Sequence, residues 1–521
     1  MKRRQFLRAT SVGAAATVGA SVGLYGRPAR AMPFGDPGAN AKALLPPELR
    51  AKSVLECFLY GGLTQWESFY CVKEYGTPTD PDPSLRNQQL YTFFNPSNNK
   101  LQKALQGCGM LPVGGDPLSL LTPFATDALG AQVNFGPLLP LFVARPDLVA
   151  RTRLVVNRHD LEPHEAAIPY AMCGRRLGAP TLASVGSHVQ RWALEHDTTG
   201  RRSPFSYAFA SNDFPTDNVH ATVANGVHPG SARPLFIKID DAARLTQLLS
   251  RKTVGDGRKA YDDLLGVYVD QYKARLRFGG TGDALRSAKL ADVIQGAAAV
   301  ANADAVQSVF DPSLFTKVND TFCGDSNVNI PAMSLRLAAH LLTHPKEPAK
   351  WCCFVDPGLK LADGGGGYDT HMENSHTQAR NFQNFLTQLL KHVNQPNEND
   401  PTKINLDDTM IVLNMEFGRS PTAQGAEGRN HWPYGYVQIY IGGPIRAAQK
   451  GIYGAIGPDG FAPDGMFTTP AENRIACLLA LGIWPFSSDS FGVSDVQNVG
   501  SELEGVLSVT KRVLGHPEVG A

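Results

Sequence analysis

An apolar run that ends in a carboxylate is the most informative feature of this 521-residue sequence. In the segment TMIVLNMEFGRSPTAQGAEGRNHWP, residues 410–415 have the composition of a strand covered on both faces, and Glu416 follows them directly. In open α/β sheets ligands bind beyond the carboxyl ends of strands, so Glu416 and Arg419 are predicted to lie at such an edge. His431 follows fifteen positions after Glu416. This segment therefore predicts a ligand site.

A second cluster of ligand-type side chains lies in GGGGYDTHMENSH, just before a helical pattern. It supplies Asp369, His371, Glu373 and His376, although His376 falls one turn into the helix, where a surface role is expected. Carboxylate oxygen and neutral imidazole are ligands for Zn, Mn or Fe, and carboxylates also bind Ca. The two segments together predict a site for a divalent metal.

The sequence leaves plainer roles open for some of these residues. His371 and His431 could be hydrogen-bonded histidines in loops that leave strands. Arg419 could grip a phosphate or sulfate through bidentate hydrogen bonds, or it could pair with Glu416.

Apolar runs and helical periodicities alternate along the chain around these segments. Strands are predicted at residues 53–60, 153–157, 236–239, 351–355, 410–415 and 436–441, and helices at 165–173, after Asn374 and at 472–481. Helical patterning also runs through 241–344, whereas 175–235 is rich in loops. Strands that alternate with helices predict an α/β fold class, with a mostly parallel central sheet and helices on both faces.

The N-terminus carries an export signal. Lys2, Arg3 and Arg4 precede a stretch of small apolar residues at 9–24, and Ala29-Arg30-Ala31 matches an A-x-A cleavage site. Paired arginines are the form read by the Tat translocase, so residues 1–31 are predicted to be a twin-arginine signal peptide and the mature chain to be exported to the periplasm. An uncleaved N-terminal membrane anchor is the alternative.

The composition limits the classes of function. Without residues 1–31 the chain has 43 basic and 48 acidic residues, a net charge of −5, and nothing in it indicates nucleic-acid binding. No later stretch reaches about 18 uninterrupted apolar residues, so no stable membrane span is expected after cleavage. Eight cysteines without a CxxC pair permit disulfides but do not form a framework. Cys352 and Cys353 are predicted to be core residues.

Four motifs resemble one protein family. They are GGLTQWESF after the first predicted strand, HEAAIPYAMCG at 164–174, GYDTH at 367–371 and MEFGR…GRNHWP at 415–433. They are similar to the bacterial twin-arginine-exported family called domain of unknown function 1501, over about residues 53–493. That family is grouped with the alkaline phosphatase and sulfatase superfamily. The resemblance therefore implies an alkaline-phosphatase-like α/β/α sandwich with a metal site at the strand ends.

The resemblance also implies ligand roles. Asp369 and His371 resemble the ligands of one superfamily metal, Glu416 falls where a strand-end Asp usually stands, and His431 resembles a late histidine ligand. The sequence departs from the pattern in three places. Asp369 and His371 are two apart instead of four, the usual Asp-His pair is Glu416-Phe417, and Gly61-Gly62 replaces the Asp of the first strand. Glu67 is then the nearest carboxylate to that strand.

The nucleophile position also differs from the family pattern. The sulfatase motif spans ten positions from its Cys to its Gly, and residues 164–174 span the same ten, which places His164 in the nucleophile position. His164 is thus a nucleophile that forms a phosphohistidine, a metal ligand, or a remnant in a protein without hydrolase activity. Thr64 offers a hydroxyl nucleophile near the end of the first strand.

Two hypotheses of function follow. The first is an exported metal-dependent hydrolase of small-molecule or polymer phosphate or sulfate esters; its metal ligands are Asp369, His371, Glu416, His431 and Glu67, and its catalytic residues are His164, Thr64 and Arg419. The second is a non-catalytic exported binding or cell-envelope assembly protein on the same fold. In both, residues 32–521 form a single domain with a loop-rich and helical elaboration at about 175–345.

Overall fold

The computed structural model of the protein describes residues 33–77, 82–84, 100–179, 182–196, 206–212, 224–229, 231, 233–239, 256–278, 309–323, 325–359, 367–424 and 428–519. The chain divides into two compact units. One holds residues 34–253 and 287–521, and the other holds residues 1–33 and 254–286. Apart from Pro33, the described part of the second unit is one helix, Asp256–Phe278.

An eight-stranded sheet organises the larger unit. Its strands are β1 Ser53–Leu59, β2 Thr152–Asn157, β3 Tyr207–Ser211, β4 Leu235–Lys238, β5 Trp351–Asp356, β6 Thr409–Asn414, β7 Tyr436–Gly442 and β8 Gly451–Tyr453. Across the sheet their order is β8-β2-β7-β6-β1-β5-β3-β4. Seven strands run in one direction, and β7 runs antiparallel to its neighbours β6 and β2.

Apolar side chains cover both faces of the sheet. In β1, Leu55, Cys57 and Leu59 belong to one core, and Val54 and Phe58 belong to the other, because successive side chains of a strand point to opposite faces. Every residue of β1, β6 and β7 is buried. Strands buried in this way need helices on both sides of the sheet.

Helices of the larger unit provide this cover. In chain order the described α-helices are α1 Lys100–Gly107, α2 Pro140–Val143, α3 Pro146–Ala150, α4 His164–Cys173, α5 Val185–His196, α6 Asp256–Phe278 of the smaller unit, α7 Ile330–Thr343, α8 Asn374–Lys391, α9 Pro470–Ala480 and α10 Glu502–Val509. The core around Leu55 includes side chains of α1, α7 and α8, whereas the core around Val54 includes side chains of α4, α5, α9 and α10. The larger unit is thus a mixed α/β structure with a mostly parallel sheet.

Three smaller sheets and one disulfide complete the described structure. The sheets are the ribbon of Gly418–Arg419 with His431–Trp432, the hairpin of Asn319–Phe322 with Asp325–Val328, and the three strands Cys71–Val72, Gln132–Phe135 and Thr122–Thr126. Cys108, just after α1, is bonded to Cys323 in the turn of the hairpin. The other six cysteines are buried free thiols, including Cys352 and Cys353 as predicted.

The six predicted strands coincide with six strands of the sheet to within one residue, and α4, α8 and α9 confirm the three predicted helices. The region 175–235, predicted to be rich in loops, contains α5 and β3, and β8 was missed. The two strands are short: YAFAS is buried by the neighbouring strands, and β8 has three half-buried residues at the edge of the sheet. The predicted signal peptide, 1–31, and the helical pattern at 241–250 lie outside the described residues.

Within the described part of the chain, no helix combines the length and the apolar composition needed to cross a membrane.

Candidate functional site

The candidate site lies at the edge of the sheet where β6, β1 and β5 end side by side. Glu416 comes two residues after β6, Gly61 comes two residues after β1, and Asp369 follows the loop that leaves β5. Carboxyl ends of parallel strands meet at one edge, which is where α/β proteins bind their ligands. The antiparallel direction of β7 also brings the segment before it, with His431, to this edge.

Two glycines after β1 allow the backbone to approach closely here. Gly61 and Gly62 both have positive φ, at 96° and 86°. A Cβ on Gly61 would lie 2.1 Å from the backbone nitrogen of Asp369, and one on Gly62 would lie 2.5 Å from the carbonyl oxygen of Phe417. An aspartate at either position would therefore not fit, and the site must be built from other carboxylates.

Asp369 is the centre of the site. Its Oδ1 lies 2.7 Å from Arg419 Nη2 and 3.1 Å from the Nε2 atoms of His371 and His431, and its Oδ2 lies 3.3 Å from His164 Nε2. Burial by itself raises the pKa of the Asp369 carboxyl, but the contacts with the three histidines and with Arg419 outweigh it and hold the pKa well below its usual range. Asp369 is therefore an ionised carboxylate surrounded by nitrogen atoms.

The hydrogen bonds of two histidines leave their Nε2 lone pairs facing this carboxylate. His431 Nδ1 donates to the carbonyl oxygen of Glu162 at 2.9 Å, and His371 Nδ1 donates to Gln424 Oε1 at 2.8 Å. The two Nε2 atoms are 3.0 Å apart. In the neutral rings no proton lies between these nitrogens and Asp369. A histidine that donates its other N–H to an oxygen is typical of metal ligation.

Protonation is the competing way to stabilise this arrangement. The hydrogen bond with Asp369 raises the pKa of His371, whereas burial lowers the pKa of His431. Of these two rings His371 would take an added proton, and it is also the most exposed of the site histidines, with 38% of its side chain accessible. Either a proton there or a cation between the rings and Asp369 would offset the repulsion between the Nε2 lone pairs and the carboxylate.

His164 and Glu416 form a buried pair on the other side of Asp369. His164 is the first residue of α4, and its Nδ1 lies 3.0 Å from Glu416 Oε1, which also accepts from the backbone N–H of Gly61 at 2.8 Å. Burial lowers the pKa of His164, but the contacts with Asp369 and Glu416 outweigh it and raise the pKa to about 9.

Two atoms of this pair fit a bound cation. Glu416 is fully buried, and its Oε2 makes no hydrogen bond with any described residue. His164 Nε2 is near Asp369 but is not aligned for a hydrogen bond and is likewise unpartnered among the described residues. Ligand atoms of His164, Asp369 and His431 lie within 4.8 Å of one another. Buried polar atoms without partners are costly, and a metal ion would satisfy them.

Arg419 is placed where it holds the site together. It is fully buried in the ribbon, and besides Asp369 its guanidinium donates to the carbonyl oxygens of Gly61, Gly62 and Arg429. Its donors are thus engaged by protein atoms. This geometry suits a positioning residue better than one that grips a substrate anion.

Glu67 and Thr64, the remaining predicted site residues, lie in a different hydrogen-bond network. Glu67 is buried and accepts from Asn374 at 2.8 Å and from Ser375 at 3.2 Å, with Arg429 3.5 Å away. Thr64 donates its backbone N–H to Gln378, and its buried hydroxyl has no hydrogen-bond partner among the described residues. Neither side chain forms a hydrogen bond or an ion pair with Asp369. Glu373 and His376 lie at the start of α8.

Two residues that the sequence did not single out also support the site. Gln378, in α8, donates to the carbonyl oxygen of Tyr368 and to the hydroxyl of Thr370, which flank Asp369, and it also bonds to the turn after β1. His159 donates Nε2–H to the carbonyl oxygen of Glu416 at 2.7 Å and accepts from the backbone of Leu161 at 3.0 Å. Burial lowers the pKa of His159 to about 4, so it is neutral. His159 lies two residues after the end of β2, and this position was the one feature of the sequence that could have indicated it as a site residue.

The family described as "Protein of unknown function (DUF1501)" has a model that matches residues 355–472. The match supports the resemblance to that family over this stretch, which holds Asp369, His371, Glu416, Arg419 and His431 but not His164. No match was found among curated proteins or among solved structures.

Proposed function

We propose that this protein is an exported metal-dependent hydrolase of phosphate or sulfate esters. The observation that carries the proposal is the convergence of two imidazole lone pairs, from His371 and His431, on one oxygen of Asp369, with the His164–Glu416 pair facing its other oxygen. Three such groups are enough to hold a catalytic metal with an open position.

The donor set determines which ion fits. Two imidazole nitrogens and a carboxylate suit Zn, Mn or Fe better than Ca, which prefers oxygen ligands. A divalent ion held by Asp369, His371 and His431 would polarise an ester oxygen and acidify a water molecule. Glu416 Oε2 and His164 Nε2 are the further donors within the same buried cluster.

His164 is suited to proton transfer. Glu416 accepts from Nδ1, which fixes the ring so that Nε2 faces the site, in the same way that a carboxylate orients the base in a hydrolytic triad. Because its pKa is raised to about 9, His164 is protonated at neutral pH, so in this role it gives a proton to the alcohol oxygen that leaves. Attack by Nε2 itself, with a phosphohistidine intermediate, is the other role that this orientation permits once Nε2 has lost its proton.

Export by the Tat translocase and an alkaline-phosphatase-like fold belong to the same proposal. The mostly parallel sheet with a polar site at its carboxyl edge supports the fold, and the Cys108–Cys323 disulfide supports an oxidising compartment such as the periplasm. Intact mass of the exported protein should place its first residue at Met32. Replacing Arg3 and Arg4 by Lys should leave the precursor in the cytoplasm.

One observation favours the second candidate, a non-catalytic exported binding or assembly protein. Arg419 already supplies a buried positive charge 2.7 Å from Asp369, so the carboxylate is neutralised in part by the protein itself. His164, whose pKa is raised to about 9, adds a second positive charge beside Asp369 and Glu416 at neutral pH without a metal.

Metal content and generic esterase activity test the proposal together. Mature protein purified without chelators should contain a stoichiometric divalent metal, melt at a higher temperature when Zn or Mn is added, and hydrolyse 4-nitrophenyl phosphate or sulfate. His431→Ala should lower bound metal and melting temperature, whereas His376→Ala, a histidine on α8, should change neither. Absence of metal, of a thermal shift and of hydrolysis in the wild type would overturn the hydrolase in favour of the binding protein.

A further inference from the structure

Three aromatic side chains form a cluster beside the candidate site. We call Trp432, Tyr434 and Phe461 the aromatic shelf. The ring centroid of Trp432 lies 5.2 Å from that of Tyr434 and 5.0 Å from that of Phe461, and the Tyr434 and Phe461 centroids are 5.2 Å apart. Phe461 is 38% exposed. Single exposed apolar residues are common on surfaces, but three rings in mutual contact are a defined apolar patch.

The polar atoms of the shelf are engaged by the protein. Trp432 donates its indole N–H to the carbonyl oxygen of Gly460 at 2.7 Å, and Tyr434 donates its hydroxyl to Glu162 Oε1 at 2.8 Å. Both rings are therefore fixed in orientation. What the shelf offers to a ligand is the apolar surface of its rings, held in place before binding.

The shelf and the site share Glu162. Its carbonyl oxygen accepts from His431 Nδ1, and its carboxylate accepts from Tyr434. Trp432 follows His431 in the ribbon, where successive side chains point to opposite faces, so it is Glu162 that joins the shelf to the site. A substrate whose ester group lies at Asp369 and His431 would extend past Glu162 to reach the shelf.

The charges around the shelf indicate what kind of ligand it takes. Glu162 and Asp160 lie on the loop before α4, Asp459 accepts from the backbone N–H of Phe461 at 3.0 Å, and Asp464 has a 94% exposed side chain. Asp160 pairs with Arg176, and Asp464 pairs with Arg158. Carboxylates accept hydrogen bonds from hydroxyl groups, and arginines donate hydrogen bonds to hydroxyl oxygens. A ligand with both apolar faces and many hydroxyl groups fits these surroundings, and sugar rings have this combination.

We infer that the aromatic shelf binds the sugar ring of a carbohydrate ester whose phosphate or sulfate group occupies the Asp369 site. This inference rests on the proposed hydrolase and names its substrate class. A straight-chain alkyl ester would reach the metal ligands without covering the shelf.

Substrate selectivity tests the inference. Wild-type protein should prefer glucose 6-phosphate or N-acetylglucosamine 6-sulfate over ethyl phosphate or ethyl sulfate, and Phe461→Ala should reduce this ratio of kcat/KM by about five- to tenfold, mainly through KM for the sugar ester. Phe461→Tyr should restore the ratio because it keeps the ring. Phe236→Ala, which removes a 45% exposed phenylalanine on β4, should leave it unchanged.

A binding measurement separates the inference from the hydrolase. Maltotriose, cellotriose and chitotriose are titrated into the protein by calorimetry. At least one should bind to the wild type and to Phe461→Tyr, and about five- to tenfold more weakly to Phe461→Ala. If this holds while no ester is hydrolysed, the hydrolase fails and the sugar site stands. If esters are hydrolysed but Phe461→Ala changes neither the ratio nor saccharide binding, the sugar site is overturned and the hydrolase stands.

Discussion

Arg419 Nη2 lies 2.7 Å from Asp369 Oδ1, and the guanidinium that makes this contact has no exposure to solvent. The ribbon of Gly418–Arg419 with His431–Trp432 pairs Arg419 with His431, so two residues that contact Asp369 are held at the same register position. The ribbon thus holds both the Arg419 guanidinium and the His431 ring in contact with Asp369.

Arg419→Met should destabilise the fold by about 3 to 5 kcal/mol, because the buried Asp369 carboxylate and three carbonyl oxygens would lose their donor. Urea unfolding followed by fluorescence measures this. Arg176→Met is the matched control, since Arg176 also pairs with an aspartate but is 54% exposed, and it should cost at most about 1 kcal/mol. Equal effects of the two substitutions would contradict the positioning role of Arg419.

His164→Ala should lower ester hydrolysis at least about a hundredfold, because the proton donor of the proposed reaction is removed. The metal content of the variant assigns the role of His164. Near wild-type metal indicates a general acid or a nucleophile, whereas metal loss indicates a ligand. Hydrolysis unchanged in His164→Ala would show that this ring takes no part in the reaction.

The strands that position the site could be predicted from the sequence because they are buried on both faces. Residues 409–414 and 53–59 are nearly continuous apolar runs of strand length, and a run of this kind indicates a central strand without any knowledge of its neighbours. Strand β3 was harder to predict from the sequence. Its sequence YAFAS acquires its burial from β5 and β4, so the signal is in the tertiary structure.

The site residues were named from the sequence because their types are uncommon after apolar strands, but their mutual positions were not predictable. Glu67 is a carboxylate near the end of a strand, as Glu416 is, and only the fold places it with Asn374 and Arg429 instead. Arg419 has the side chain of an anion-binding residue. The turn after β1 buries it, and the sequence around Arg419 does not show this. A neutral glutamine such as Gln378 gives no sequence signal, since its partner Thr64 is 314 positions away.

Asp356, at the end of β5, should make stability depend on pH. Burial raises its pKa from 3.8 to about 6, although hydrogen bonds from Tyr368 and Gly358 act in the opposite direction. The folded chain therefore binds this proton more tightly than the unfolded chain. The stabilisation that results is complete below pH 3.8 and is lost as pH rises through about 6.

Relative to Asp356→Asn, the wild-type free energy of unfolding should fall by on the order of 3 kcal/mol between pH 4 and pH 7. Urea titrations at several pH values measure it. Asp408→Asn is the control, because Asp408 is an exposed partner of Lys52, and its difference from the wild type should vary little. Parallel stability curves for the wild type and Asp356→Asn would show that the carboxyl does not titrate in this range.

The Cys108–Cys323 disulfide should stabilise the protein by about 2 to 5 kcal/mol, because it closes a loop of 215 residues in the unfolded chain. Thiol titration of the denatured protein should find six thiols before reduction and all eight cysteines after it. The double variant Cys108→Ser, Cys323→Ser should unfold like the reduced wild type and should not respond to dithiothreitol. If dithiothreitol also destabilises the double variant, the loss of stability on reduction does not come from this disulfide.

Gln378 joins both sides of the site through one side chain. Its Oε1 accepts from the backbone of Thr64 at 2.8 Å, and its Nε2 lies within 3.1 Å of the Gly62 and Tyr368 carbonyl oxygens and of Thr370 Oγ1. Tyr368 and Thr370 flank Asp369, whereas Gly62 and Thr64 belong to the turn that contacts Glu416 and Phe417. The distance between the two carboxylates of the site therefore depends on this glutamine.

Gln378→Leu keeps the size of the side chain but leaves several buried backbone groups unsatisfied. It should weaken Zn binding by about ten- to a hundredfold, as removal of a group that orients metal ligands does elsewhere. It should also lower the free energy of unfolding by about 1 to 3 kcal/mol. Gln388→Leu, a buried glutamine in the same helix, is the control for packing and should leave Zn affinity unchanged. If Gln378→Leu loses stability but binds Zn as the wild type does, Gln378 supports the fold and has no part in positioning the metal ligands.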